Sequence, residues 1–194
     1  MTEPTGAPTG RAAGAPTGLA AGARTGSGPW VAIVVGSRSD LPSLESAERM
    51  LEEMGIGHEL RVISAHRAPE LLDRYVADAA RRGAAVFIAA AGLAAHLPGV
   101  IASKTTRPVI GVPLKGGVMD GLDALLSIVQ MPKGVPVAAV GVGNATNAAL
   151  LAAQILALAD TALAERLTSA RVRQAAAIMD DETNAQTRAE RPAR

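Results

Sequence analysis

The sequence predicts one α/β domain in which a doubly wound parallel sheet is covered by helices on both faces, in three layers. Two observations predict this architecture. Short runs rich in β-branched residues alternate along the chain with longer segments whose apolar residues recur at helical spacing, a pattern typical of repeated βα units. The chain has 194 residues, 48% of them apolar, which is enough for one hydrophobic core and too little for two.

Five short segments are predicted to be strands, and six longer ones are predicted to be helices. The strands are Trp30 to Val35, Glu59 to Ile63, Ala85 to Ala90, Pro108 to Val112 and Val135 to Val140. The helices are Leu41 to Met54, Pro69 to Arg82, Leu97 to Thr105, Gly121 to Val129, Ala145 to Asp160 and Leu163 to Gln174. Gly55 and Gly83 follow the first two helices as C-terminal caps, and Pro69 opens the second. Five strands with crossover helices on both faces are typical of a flavodoxin-like sheet rather than of a six-stranded dinucleotide domain.

Both ends of the chain are predicted to lie outside the domain, which we expect to span residues 29–174. Residues 1–28 repeat the segment GAPTG and carry little apolar surface, too little to offset the entropy lost on ordering. They are predicted to form a disordered arm. Residues 175–194 pass from an alanine-rich helical stretch into a polar tail, which we expect to fray.

Composition excludes several classes of function. The formal charge of +1 and only three aromatic residues argue against binding of nucleic acid. The absence of cysteine excludes disulfides and thiolate metal sites and fits a reducing compartment. The longest apolar runs fall short of the 18 or so residues that a membrane span needs, and no apolar export signal precedes the domain. We therefore expect a cytoplasmic protein with no membrane association.

Ligands of such sheets bind beyond the carboxyl ends of the strands, and the first of these ends carries Gly36-Ser-Arg-Ser-Asp40. Glycine allows close backbone approach, Ser37 and Ser39 offer hydroxyls, and the following helix presents free N–H groups. These features suit a phosphate, whereas the Asp40 carboxylate would accept hydrogen bonds from a sugar diol. The alternative is that Ser39 or Asp40 only caps the helix.

The second strand ends in Ser64-Ala65-His66-Arg67. Arg67 can hold a phosphate through its planar guanidinium, and His66 is suited to moving protons near neutral pH. The alternatives are a surface salt bridge between Arg67 and Glu70, and a capping or solvent-facing role for His66.

The third strand leads into an apolar loop that contains Gly92, His96 and Leu97. Small residues there let backbone amides approach a ligand and exclude water. His96 is either a second proton-handling group or a buried core histidine. The segment from Lys115 to Gly121 is predicted to be a flexible loop of the lid kind, and Gly141-x-Gly143 lacks the third glycine of a dinucleotide fingerprint.

Five segments stand out together in the sequence: GSRSD (36–40), SAHRAP (64–69), AGLAAHLPG (91–99), SIVQMPKGVPV (127–137) and NAALLAAQIL (147–156). As a set they resemble one family, the bacterial N5-carboxyaminoimidazole ribonucleotide mutases of purine biosynthesis. The resemblance implies a flavodoxin-like fold, a homo-octamer and a small-molecule ribonucleotide substrate. It also implies a reaction without cofactor or metal, in which carboxylate moves from the exocyclic nitrogen to the imidazole ring carbon. The ATP-dependent synthetase that makes the substrate is the implied functional partner.

The family's contacts are carried over by position. Phosphate and ribose contacts fall on Ser37, Ser39, Asp40, Ser64 and Arg67, and Ala65, Gly92 and Leu97 complete the expected binding site. The proton shuttle falls on His66, and His96 lies near the base and the migrating carboxylate. Leu93 stands where the family usually has glycine. The AAHLPG segment resembles the mutase class rather than the animal-type carboxylase.

The sequence therefore predicts a carboxyaminoimidazole ribonucleotide mutase, an isomerase. Two alternatives remain open: an aminoimidazole ribonucleotide carboxylase that uses free carbon dioxide, and a non-catalytic domain that binds a phosphosugar and regulates a partner. A receiver-type regulator would need an acidic cluster after its first strand, where Asp40 is the only acid. An FMN electron carrier would usually stack its flavin on aromatic residues, and the candidate loops have none.

Overall fold

The computed structural model describes residues 28–179, in which five parallel strands form one sheet in the order β2-β1-β3-β4-β5. The strands are β1 (Trp30–Val35), β2 (His58–Val62), β3 (Ala84–Ala91), β4 (Val109–Pro113) and β5 (Ala138–Ala139). This is the strand order of a flavodoxin-like sheet, so the predicted fold class is confirmed. The predicted arm, apart from Gly28, and the tail from residue 180 onward lie outside the described residues.

Six α-helices connect or follow the strands. They are α1 (Glu45–Glu53), α2 (Pro69–Arg81), α3 (Leu97–Ala102), α4 (Leu122–Val129), α5 (Ala145–Ala157) and α6 (Thr161–Met179), and a 3-10 helix, Arg38–Leu44, leads into α1. Every helix within residues 28–179 is too short or too polar to span a bilayer.

The sheet is buried on both faces because alternate residues of each strand point to opposite sides. In β1, Val31, Ile33 and Val35 pack with α1, α5 and α6, whereas Ala32 and Val34 pack with α2, α3 and α4. All six residues of β1 have no solvent exposure. This burial places a rigid strand directly beneath the loop that carries Ser37.

Two predicted elements differ from the structure, and each contains a proline. The predicted helix from Leu41 to Met54 is instead a 3-10 helix followed by α1, with Pro42 inside the 3-10 helix. The predicted strand from Val135 to Val140 pairs with β4 only at Ala138 and Ala139. Pro136 cannot donate to a sheet ladder, so pairing begins beyond it.

The last two helices also end at different residues from those predicted. Asp160 was predicted to end α5, but its Oδ1 accepts a hydrogen bond from the Leu163 backbone N–H at 3.0 Å and caps α6. The helix α6 then continues beyond Gln174 to Met179. Residues 175–177 are alanine, which has the highest helix propensity, so the alanine-rich stretch is helical as predicted and continues α6.

A buried carboxylate links β2 to the end of α2. It lies near the amino ends of the strands, away from the carboxyl ends that carry the candidate site. Glu59 is 2% exposed. Its Oε1 accepts a hydrogen bond from Arg61 Nε at 2.7 Å, and its Oε2 accepts one from Arg82 Nη1 at 2.8 Å. Burial alone would raise the pKa of this carboxyl, but the hydrogen bonds from Arg82 and Arg61 outweigh it and leave the pKa below its ordinary value.

Candidate active site

A cavity of about 430 Å³ opens at the carboxyl ends of β1, β2, β3 and β4. β2 and β3 lie on opposite sides of β1, so the chain reverses its winding direction after β2. Ligands of doubly wound sheets bind at such a switch point. The volume lies in the range typical of small-molecule sites. All ten predicted site residues line this one cavity: Ser37, Ser39, Asp40, Ser64, Ala65, His66, Arg67, Gly92, His96 and Leu97.

The first loop presents a cluster of hydroxyls beside a carboxylate. Ser37 is the residue that caps the following 3-10 helix, because its Oγ accepts a hydrogen bond from the Ser39 backbone N–H at 3.4 Å. Ser39 Oγ lies 2.9 Å from Ser37 Oγ and 3.3 Å from Asp40 Oδ1. The alternative in which Ser39 or Asp40 is the cap is therefore wrong. All three side chains face the cavity, and their oxygens supply both donors and acceptors there.

Arg67 joins the second loop to the first. Its Nη2 donates to the carbonyl oxygen of Gly36 at 2.8 Å, and its backbone N–H donates to Ser64 Oγ at 3.3 Å. Within residues 28–179 it forms no ion pair with Glu70, so the salt-bridge alternative is not what the structure contains. The bond to Gly36 orients the guanidinium and leaves its other N–H groups available to an anion in the cavity.

His66 and His96 form a direct hydrogen-bonded pair. His66 Nε2 lies 2.7 Å from His96 Nδ1, and the rings meet edge to face with centroids 4.9 Å apart and an interplanar angle of 88°. Both residues are exposed and line the cavity. The interpretation of His96 as a buried core histidine is therefore wrong.

The histidine pair has a definite proton-transfer capacity. If His66 Nε2 donates to His96 Nδ1, the outer nitrogens are an acceptor on His66 and a donor on His96; in the other neutral tautomer these roles are exchanged. While both rings are neutral, the two outer nitrogens of the pair are therefore one donor and one acceptor. A proton taken up at one outer nitrogen can be released at the other without either ring leaving its position.

The remaining wall of the cavity is apolar. It consists of side chains from the end of β3, the loop after it and the end of β4, namely Ala91, Leu93, Ala95, Leu97 and Leu114. The loop is held in shape by a hydrogen bond from the Ala95 N–H to the Gly92 carbonyl at 3.0 Å and by Ser127 Oγ donating to the Ala94 carbonyl. The site thus has a polar end, formed by hydroxyls, a carboxylate and a guanidinium, and an apolar end, and the two histidines line the same cavity.

Lys115 and Gly116 also line the cavity, although the sequence analysis placed them only in a lid-type loop. They follow β4, which pairs directly with β3, so their position depends on strand order. The flavodoxin-like order predicted for the sheet was the signal that could have located them. Among residues 28–179, no group of three His, Asp or Glu side chains is placed to hold a metal ion.

The AIR carboxylase family matches residues 30–177. The N5-carboxyaminoimidazole ribonucleotide mutase of Pyrococcus horikoshii is 55% identical over 139 residues, which cover 72% of this chain and 78% of that protein.

Longer proteins and a solved structure also match. The chloroplastic phosphoribosylaminoimidazole carboxylase of Vigna aconitifolia is 52% identical over 149 residues, 77% of this chain but 27% of that protein, so the chain spans about a quarter of that longer relative. The crystal structure of Treponema denticola PurE superposes with a TM-score of 0.73 at 30% identity, covering 80% of this chain and 97% of the other. The family match over most of the domain and the high identity to proteins of similar length lead to one conclusion: the chain belongs to the AIR carboxylase family.

Proposed function

We propose that the chain is an N5-carboxyaminoimidazole ribonucleotide mutase, which moves carboxylate from the exocyclic nitrogen of its substrate to the imidazole ring carbon. The product is 4-carboxy-5-aminoimidazole ribonucleotide, an intermediate of purine biosynthesis. The observation that carries the proposal is the His66–His96 pair, which lines a cavity with one polar end and one apolar end. The identity to relatives of that name supports it.

The polar end of the cavity suits the ribose phosphate. Ser37 and Ser39 offer hydroxyls, and Arg67 is held by Gly36 with further N–H groups free to bind a phosphate. Asp40 is an acceptor and would repel a phosphate, so we assign it to the ribose hydroxyls. Bound in this way, the nucleotide places its base toward the histidine pair and the apolar wall.

The proposed reaction breaks and remakes one bond to the migrating carbon. When the carbamate carbon–nitrogen bond breaks, its electron pair stays on the exocyclic nitrogen, which takes a proton from His66, and the carbon leaves as carbon dioxide. The electron-rich ring carbon then attacks carbon dioxide and forms the new carbon–carbon bond. His66 finally recovers the proton that the ring carbon carried, so protons balance over the cycle.

We assign His96 a part in this proton transfer, and its contact with His66 supports the assignment. Its Nδ1 bonds to His66 Nε2, so it fixes the orientation of the catalytic ring and can pass a proton along the pair. Positioning of a labile carbamate supplies much of the remaining rate, and acid–base catalysis by a placed side chain contributes roughly 10² to 10⁴.

We extend the proposal to the oligomeric state of the protein, its partner enzyme and its location in the cell. We propose a homo-octamer, supported by the outer face of α4, where Leu122, Leu126 and Val129 recur at helical spacing and are 44%, 44% and 46% exposed. Apolar side chains exposed together on a helix are typical of an interface. We also propose a cytoplasmic enzyme that works with the ATP-dependent synthetase, since a labile carbamate must be used soon after it is made. Measuring the mass of the assembly in solution tests the octamer.

One assay tests the function and distinguishes it from the alternatives. The purified protein is mixed with 5-aminoimidazole ribonucleotide at low bicarbonate, with and without ATP and the synthetase, and ring-carboxylated product is followed. The mutase requires ATP and the synthetase for rapid product formation. Equal rates without them would identify a carboxylase that uses free carbon dioxide, and no product under either condition would identify a non-catalytic domain.

A further inference from the structure

Leu93 has a backbone conformation that leucine rarely adopts. Its φ is 56°, in the left-handed region, where a side chain with a Cβ is disfavoured and glycine is not. Its side chain is 61% exposed, so burial in the core does not offset the strain. A strained residue beside a candidate active site is a reason to look for a role there.

The side chain of Leu93 reaches from one loop to another. Its Cδ2 lies 2.9 Å from the position that a Cβ on Gly117 would occupy, so the methyl group packs directly against the backbone of the loop that follows β4. Gly117 has a φ of +71°, and Asp123 Oδ2 lies 2.7 Å from the same Cβ position. No side chain fits at residue 117, and Leu93 occupies that space.

Leu93 also lines the cavity at its apolar end. On that side its neighbours along the wall include the buried side chains of Ala95 and Leu114. Leu93 lines the cavity, contacts the opposite loop and is more than half exposed. It therefore lies at the solvent edge of the apolar end. It covers the gap between the loop after β3 and the loop after β4.

We propose that Leu93 is a retention residue, whose side chain slows the escape of carbon dioxide through this gap. The inference rests on the proposed function, in which the carbamate yields carbon dioxide before the ring carbon attacks it. Carbon dioxide is small, carries no net charge and is only a weak hydrogen-bond acceptor, so polar contacts hold it poorly and apolar groups that close the gap sterically would slow its escape.

The test follows the fate of the migrating carbon. Substrate labelled with ¹³C in the carbamate is converted in unlabelled bicarbonate with carbonic anhydrase present, so that escaped carbon dioxide is diluted at once. The wild-type protein should retain most of the label in the product, and Leu93→Gly should lose severalfold more of it while its KM for the nucleotide changes less than twofold. Leu93→Met, which keeps an apolar side chain of similar reach, should restore retention.

A matched control removes an apolar side chain from the opposite loop. Val118 is 98% exposed and does not line the cavity, so Val118→Gly should retain label as the wild type does. Thermal unfolding of Leu93→Gly should occur at or above the wild-type temperature, because glycine adopts the observed φ without strain. This separates loss of retention from loss of the fold.

Several results would overturn the inference. They are unchanged label retention in Leu93→Gly, an equal loss in Val118→Gly, or a failure of Leu93→Met to restore retention. Normal product formation with unchanged retention would refute only the role of Leu93. Failure of the wild-type protein to form the ring-carboxylated product would refute the proposed function, and the inference with it.

Discussion

Replacing Arg67 by alanine should weaken binding of the ribonucleotide and leave binding of the dephosphorylated nucleoside almost unchanged. A guanidinium has five N–H donors, and in this structure the only hydrogen bond that the Arg67 guanidinium makes within residues 28–179 goes from Nη2 to the Gly36 carbonyl. Two of the remaining donors are enough for a paired contact with a phosphate. Hydrogen bonds to charged groups contribute about 1.5–3 kcal/mol each, and we take the lower end because the side chain is exposed. The sum of about 3 kcal/mol corresponds to a loss of about 100-fold in affinity.

The measurement is equilibrium binding of the nucleotide and of its nucleoside to the wild type and to Arg67→Ala. Arg67→Lys serves as the matched variant, because lysine keeps the charge but lacks the planar guanidinium. The affinity of Arg67→Lys for the nucleotide should lie between those of the wild type and Arg67→Ala. Equal losses of nucleotide and nucleoside binding in Arg67→Ala would refute the assignment of the phosphate to this end of the cavity.

Three further substitutions test the histidine pair and the fold beneath it. His96→Asn should lower kcat by about 10² with little change in KM, because the acid–base partner of His66 is lost while the nucleotide contacts remain; steady-state kinetics measure both, and an unchanged kcat would contradict the relay. Glu59→Gln should lower the free energy of unfolding in urea by about 3 kcal/mol at neutral pH, since two arginines would face a neutral amide in a buried position. The pKa of Glu59 is lowered in the folded state, so the stability that Glu59 contributes is present above its ordinary pKa and is lost as the pH falls below it. The free energy of unfolding of Glu59→Gln should therefore decline less at acid pH than that of the wild type. An identical decline in both proteins would contradict a lowered pKa for Glu59. Gly111→Ala should lower stability by about 1–3 kcal/mol, because a methyl group there would overlap Ile128 Cγ2 in the core; an unchanged melting temperature would show that the site can relax.

Much of the fold follows from local patterns. The buried strands β1 and β3 and the capped helix α2 lie within one residue of their predicted bounds, because apolar runs, a proline start and a glycine end all indicate the same elements there. The less accurate bounds include that of β5, where a single residue, Pro136, changes the hydrogen bonding. Such effects are local but compete with periodicity, and a pattern of apolar residues does not show which one prevails.

The geometry of the site depended on tertiary structure. Chemical type and strand-end position were enough to select His66 and His96, but their contact joins residues 30 positions apart across loops that flank β1. The loop from Gly92 to His96 turns back on itself through the Ala95 N–H, which brings His96 to the cavity rather than into the core. The positive φ of Leu93 and its contact with the loop after β4 likewise have no signature in spacing or composition.

The most direct test of the account is the substitution of His66 by asparagine. Asparagine leaves the residues of the polar end in place, so binding of the ribonucleotide should be within a fewfold of wild type. Conversion of the carbamate to the ring carboxylate should fall by at least about 100-fold, the lower end of the usual acid–base contribution. Turnover within tenfold of the wild type, with binding intact, would contradict the claim that this histidine moves the proton.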